Sequence, residues 1–200
     1  MTDDTNITHG KVVIVSGPAG AGKTTVMRRV FEKCPLPLKH SVSATTRPPR
    51  PGEVDGKDYY FLSPEKFAEH RERGEFLECF EVFGMGYWYG TLWSELHAGF
   101  AAGKWVVLEI DVQGALAAIE RFPDALSIFI RPGSFAELEN RLRGRGTETE
   151  DALERRLARA KHELELADRY RYRVVNDDID RAVAEICSIL AREWEKQNDD

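Results

Sequence analysis

The sequence predicts an α/β fold, a parallel sheet with helices on both faces. Three observations predict it. Four apolar runs recur along the chain: Val12-Val13-Ile14-Val15, Trp105 to Asp111, Leu126 to Ile130, and Tyr172 to Val175. Between and after the last three lie helical patterns at about 112–121, 134–142, 151–167 and 178–196. Strands alternating with helices imply right-handed β-α-β units whose ligands bind beyond the C-terminal strand ends. The first run passes directly into Ser16-Gly17-Pro18-Ala19-Gly20-Ala21-Gly22-Lys23-Thr24-Thr25. There Gly17, Gly22, Lys23 and Thr24 fit the spacing G-x-x-x-x-G-K-[ST], and a helical pattern follows through Val26, Val30 and Phe31. Strand, glycine-rich loop and helix together make a P-loop.

The composition of that loop follows from its task. Backbone N–H groups must converge on phosphate oxygens, so side chains are absent where the chain turns inward. The helix starting near Lys23 adds unpaired N–H groups and the positive end of its dipole. Lys23 reaches the terminal phosphates of a nucleoside triphosphate, and the Thr24 hydroxyl is a ligand for Mg²⁺. A dinucleotide fingerprint does not fit, because Thr25 stands where the third glycine would be.

The bulk properties limit the function classes. Two hundred residues suit one domain, or one core with small insertions. Apolar residues at 42% and charged ones at 31% are ordinary for a globular chain. A net charge of −6 argues against general nucleic-acid binding. Cys34, Cys79 and Cys187 are scattered without metal spacing, as expected of reduced thiols. The polar N-terminus suggests neither a signal peptide nor a membrane span, so a cytoplasmic protein with a frayed tail at 1–9 is expected.

Residues 36–94 break the alternation. The stretch is rich in Pro, Gly, Tyr and Phe, with β-like pieces at Asp58 to Leu62 and Glu78 to Val82 and a helix near 64–73. It reads as a small β-rich insertion within a core made of 10–35, 95–137 and 157–200. Inside it, Thr45-Thr46-Arg47-Pro48-Pro49-Arg50-Pro51-Gly52-Glu53 sets two guanidinium groups three residues apart on a proline-stiffened backbone. Phosphate is the natural target of two such forks, although a solvated Arg-Pro loop reads equally well from this string alone. A second irregular piece, about 138–156, carries Arg141-Leu142-Arg143-Gly144-Arg145-Gly146.

The chain resembles guanylate kinase, an enzyme family that phosphorylates GMP with ATP. The strings GPAGAGKT, SVSATTRPPRPGEVDGKDYYF, EFLE, LEIDVQGA, RLRGRGTETE and VVNDD carry the resemblance, in that order, over about 11–190. It implies a core, a GMP-binding insertion at 36–94 and a helical lid at 138–156. By this resemblance Arg47, Arg50, Tyr59 and Tyr89 hold the GMP phosphate, and Ser43, Glu78, Thr91 and Asp111 face the guanine. Lys23, Arg141, Arg145 and Arg156 are the catalytic cations, and Asn176 lies on the adenine or lid side of the ATP site formed by residues 17–25. The aromatic string is two residues longer than the common family form, so Tyr87 is an alternative to Tyr89. The acid pair Glu109 and Asp111 replaces two aspartates and leaves open which of them faces Mg²⁺, directly or through water. ATP and GMP are the implied partners, with no nucleic acid or membrane. The rival readings are dGMP or another phosphorylated acceptor, and a protein-binding module on the same fold. An intact Gly22-Lys23-Thr24 and the lid arginines disfavour the module.

Overall fold

The computed structural model describes residues 11–82, 86–144 and 150–198. The chain divides into two compact units, 1–14 with 37–125 and 15–36 with 126–200. Strand β1 (Val12–Ser16), in which that division falls, is third in a five-stranded sheet ordered β2-β7-β1-β8-β9. The expected α/β architecture is present.

In the first unit, β2 (Leu38–His40) pairs in parallel with β7 (Trp105–Glu109), Leu38 opposite Trp105 and His40 opposite Val107. Residues 38–40, inside the stretch expected at 36–94, thus pair into the five-stranded sheet. Leu38-Lys39-His40 is too short and too polar to read as a strand; its pairing with the buried β7 creates it. A separate four-stranded sheet follows in the order β4-β3-β6-β5, from β3 (Ala44–Thr45), β4 (Tyr60–Phe61), β5 (Phe76–Val82) and β6 (Tyr87–Leu92). Helix α2 (Pro64–Glu72) starts with Pro64 at its first position, and the Ser63 hydroxyl accepts from Lys66 N–H. Its Phe67 stacks on Phe76 over Ala44, with Tyr60, Leu62 and Trp88 around them, a core of this sheet's own. Helix α3 (Trp93–Ala101) packs on β7 through Gly99, where any Cβ would lie 2.3 Å from Val106 Cγ2. Helix α4 (Val112–Arg121) follows β7 and is capped by Asp111.

In the second unit, helix α1 (Lys23–Lys33) buries Val26, Met27 and Val30 and packs against α7 (Ile179–Asn198). Asp180 pairs with Arg29 at 2.8 Å and Lys33 at 3.1 Å. Strands β8 (Leu126–Pro132) and β9 (Tyr172–Asn176) pair in parallel. Helices α5 (Phe135–Arg143) and α6 (Glu150–Glu165) share Leu138, Leu142, Leu153 and Ala160, with Leu157 against them. The expected lid at 138–156 therefore begins inside α5 and ends inside α6. A 3₁₀ turn, Leu166–Arg169, leads into β9.

Candidate functional site

Candidate residues form one group in the second unit and two in the first. In the second, β1 delivers the chain into the glycine-rich loop at Gly17, whose φ of 145° no side chain suits. A Cβ there would lie 2.0 Å from the Ile130 carbonyl oxygen, so backbone passes backbone with no room for a side chain. Pro18 accepts from Ala21 N–H at 3.1 Å, closing a turn across Ala19 and Gly20. Gly22 is the N-cap of α1 at φ 85°, with no side chain capping the helix and no acid in its first turn. An uncapped, acid-free helix start is an anion site by its own electrostatics. Lys23 Nζ donates to the carbonyls of Gly17 at 2.6 Å and Pro18 at 3.1 Å, which folds the ammonium back over the loop. Thr24 and Thr25 are exposed in the first helical turn.

The carbonyl of Ala21 is the junction of this group. Asn176 Nδ2 donates to it at 2.8 Å from the end of β9, and Arg141 Nη1 reaches it at 3.4 Å from α5. Arg141 Nη2 donates to the Asn176 carbonyl at 3.0 Å and pairs with Glu137 one turn back. Asn176 thus touches both the loop, through Ala21, and Arg141 of the expected lid. Arg156 is half-buried on α6, and Arg145 lies outside the described residues.

In the first unit, the Arg-Pro string folds around Arg47. Its guanidinium donates to the Tyr89 hydroxyl at 3.1 Å, the Pro48 carbonyl at 2.7 Å and Glu53 Oε1 at 2.9 Å. It lies over the rings of Tyr59 and Phe61, at 5.5 and 5.8 Å from their centroids. Tyr59 meets Tyr89 edge to face, and burial pushes its phenol up to about 12. Arg47, Tyr59 and Tyr89 therefore form one cluster, and of the two candidate tyrosines Tyr89 is the one bonded to Arg47. Arg50 is exposed, its backbone N–H donating to Glu53 Oε2 at 2.7 Å. Glu53, which received no role from the sequence, bridges Arg47 and the Arg50 backbone; its place three residues after Arg50 is the signal.

The carboxyl group of Glu78 belongs to a second cluster. Strands β5 and β6 place Glu78 opposite Thr91, whose hydroxyl donates to Glu78 Oε1 at 2.6 Å. The start of α4 closes on the other oxygen: a Cβ on Gly114 would lie 2.8 Å from Glu78 Oε2, so glycine allows this approach. Burial raises the Glu78 carboxyl to about 7, the Thr91 hydrogen bond works against the rise, and the Asp111 carboxylate adds to it. Asp111 Oδ1 accepts from Gly114 N–H at 2.7 Å as the N-cap of α4. Ser43 is half-buried, and its carbonyl accepts from Tyr60 N–H at 2.9 Å. Glu109 is half-buried at the end of β7. A half-buried acid beside a threonine hydroxyl suits a planar partner rich in N–H donors.

Among the described residues, no group of three or more His, Cys, Asp or Glu could hold a metal by itself. Taken singly, the side-chain oxygens of Thr24 in the second unit and of Glu109 and Asp111 in the first are hard donors, the chemical type that Mg²⁺ takes. No helix among the described residues is long and apolar enough to cross a membrane.

Known proteins resemble this chain over most of its length. The guanylate kinase family model matches residues 9–193. A guanylate kinase of Rhodopirellula baltica is 53% identical over 182 residues, 90% of this chain and 87% of that one. One of a Nostoc species is 50% identical over 185 residues, 92% of each chain. The crystal structure of guanylate kinase from Anaplasma phagocytophilum matches with a TM-score of 0.75 at 35% identity, covering 93% of this chain and 87% of that one.

Proposed function

Since this chain belongs to the guanylate kinase family, we propose that it transfers the γ-phosphoryl group of ATP to GMP, giving ADP and GDP, with dGMP as a second acceptor. The observation that carries the base choice is the half-buried Glu78 carboxyl held by Thr91. Guanine presents N1–H and N2–H₂ as donors along one edge, where adenine presents an acceptor and a C–H. A carboxylate partly withdrawn from water accepts from the first and repels the second, and its partial desolvation magnifies the difference.

The roles divide by unit. The N–H groups of Gly17 and of residues 19–25 would cradle the ATP phosphates, and Lys23 would exchange its two loop carbonyls for phosphate oxygens. Arg141 would turn from Glu137 toward the transferring group, with Arg145 and Arg156 adding positive charge. Phosphoryl transfer asks for alignment and charge stabilisation more than for covalent chemistry. Arg47, Tyr59 and Tyr89, with Arg50, would hold the GMP phosphate; Ser43, Glu78, Thr91 and Asp111 would face the base. The donor set fits Mg²⁺, which Thr24 would ligate and Glu109 or Asp111 would reach directly or through water. When bound, the ion neutralises charge on the ATP phosphates.

A coupled assay of ADP formation with GMP, AMP, CMP and UMP tests the proposal. GMP should be the only good acceptor of the four, and turnover should vanish on chelation of Mg²⁺. Equal use of AMP would remove the guanine reading.

A further inference from the structure

Glu95 is an acid almost wholly withdrawn from water, 8% exposed, in the first turn of α3. A carboxylate so placed is costly unless every lone pair is met. Its three partners come from two segments, 39–42 and β4. Lys39 of β2 forms an ion pair with Oε2, Val42 N–H donates to the same oxygen at 3.1 Å, and the Tyr60 hydroxyl donates to Oε1 at 2.8 Å. Burial works to raise its pKa, yet the bonds from Lys39, Tyr60 and Val42 outweigh it and hold the carboxyl below the usual glutamate range.

The place of this clamp in the chain gives it a consequence. Ser41 N–H makes a hydrogen bond of the β2–β7 pair, to the Val107 carbonyl at 2.9 Å. Two residues later the Ser43 carbonyl bonds Tyr60 N–H, already part of the four-stranded sheet. Glu95 grips Val42 between these two points, where the chain passes from one sheet to the other. Its other partner, Tyr60, adjoins Tyr59, and α3 follows directly on β6, which carries Thr91. One carboxylate thus connects the segments bearing Ser43, Tyr59 and Thr91, all three assigned above to the acceptor nucleotide.

We propose that Glu95 is a positioning residue for the acceptor nucleotide, setting the Ser43 and Tyr59 segments against the strand that carries Thr91. The inference rests on the GMP reading of that site. Glu95 touches no substrate; it acts through the backbone at Val42 and the ring of Tyr60. Without it, Ser43 and Tyr59 keep their chemistry and lose their register, so acceptor binding weakens while the ATP loop is untouched.

Steady-state kinetics of the full chain and its Glu95→Gln, Glu95→Ala and Tyr60→Phe variants test this, with KM measured separately for GMP and ATP. Glu95→Ala should raise the KM for GMP by about tenfold, with the KM for ATP within about twofold of the parent. Glu95→Gln keeps an acceptor for Val42 and should recover part of that loss. Tyr60→Phe, which removes one hydroxyl from the clamp, should raise the GMP KM by about threefold and carries the test if Glu95→Ala does not fold. An unchanged GMP KM in folded Glu95→Gln and Tyr60→Phe, or equal rises for both nucleotides, overturns the positioning role. A parent enzyme that fails to phosphorylate GMP in the same assay overturns the functional reading instead, and the two failures are told apart by that control.

Discussion

The Thr91 hydroxyl reaches across one strand pair to donate a 2.6 Å hydrogen bond to Glu78, leaving the other carboxylate oxygen against Gly114 at the start of α4. This pair turns an otherwise ordinary strand glutamate into an oriented acceptor, and its half-buried setting has consequences for pH, stability and base choice.

The Glu78 carboxyl rises from 4.5 to about 7 on folding, so between those values the native state binds more protons than the unfolded chain. This group's contribution to stability must fall as pH climbs from about 4.5 to about 7, by at most about 3 kcal/mol, and level off above. Glu78→Gln removes the titration. Urea unfolding should show the variant gaining on the parent between pH 5 and pH 8; the same difference at both pH values would place the carboxyl in water.

Arg50 is exposed, whereas Arg47 is already engaged by Glu53, Pro48 and Tyr89. Arg50→Ala should therefore leave thermal stability near that of the parent and raise the KM for GMP far more than that for ATP. The loss should be on the order of 2–5 kcal/mol in acceptor binding. Equal increases for the two nucleotides would show that Arg50 does not serve the acceptor phosphate.

Asn176 ties β9 to the glycine-rich loop through the Ala21 carbonyl. Replacing it by Ala takes the 2.8 Å donor from a buried carbonyl and should cost about 1–3 kcal/mol of stability. The KM for ATP should rise several-fold while the GMP constant barely moves. A melting temperature and ATP constant equal to the parent's would remove Asn176 from the support of the loop.

What the sequence revealed, and what it hid, follows from how local each signal is. Val12–Ile14, Trp105–Leu108 and Leu126–Ile130 are buried on both faces and read as apolar runs. The loop at 17–25 declares itself because its chemistry needs glycines and a lysine at fixed spacing. Leu38–His40 and Ala44–Thr45 are strands of three and two residues, made by their partners and not by their own pattern. Tyr87–Leu92 and Trp93–Ala101 carry no clear strand or helix period, since glycine and tryptophan blur both. Glu95 was illegible because its partners lie 56, 53 and 35 positions away, and no local string records them. The Asn176 bond to Ala21 spans 155 positions, so only its motif, not its contact, was readable.

The central claim is that this chain selects GMP through the Glu78 carboxylate, and kcat/KM for GMP and AMP in Glu78→Gln tests it most directly. The substitution keeps the shape and the Thr91 contact while turning one acceptor into a donor. GMP efficiency should fall by roughly 2–4 kcal/mol, with AMP use low or slightly raised because Asp111 still disfavours adenine. An unchanged kcat/KM for GMP would contradict the account and put base recognition elsewhere.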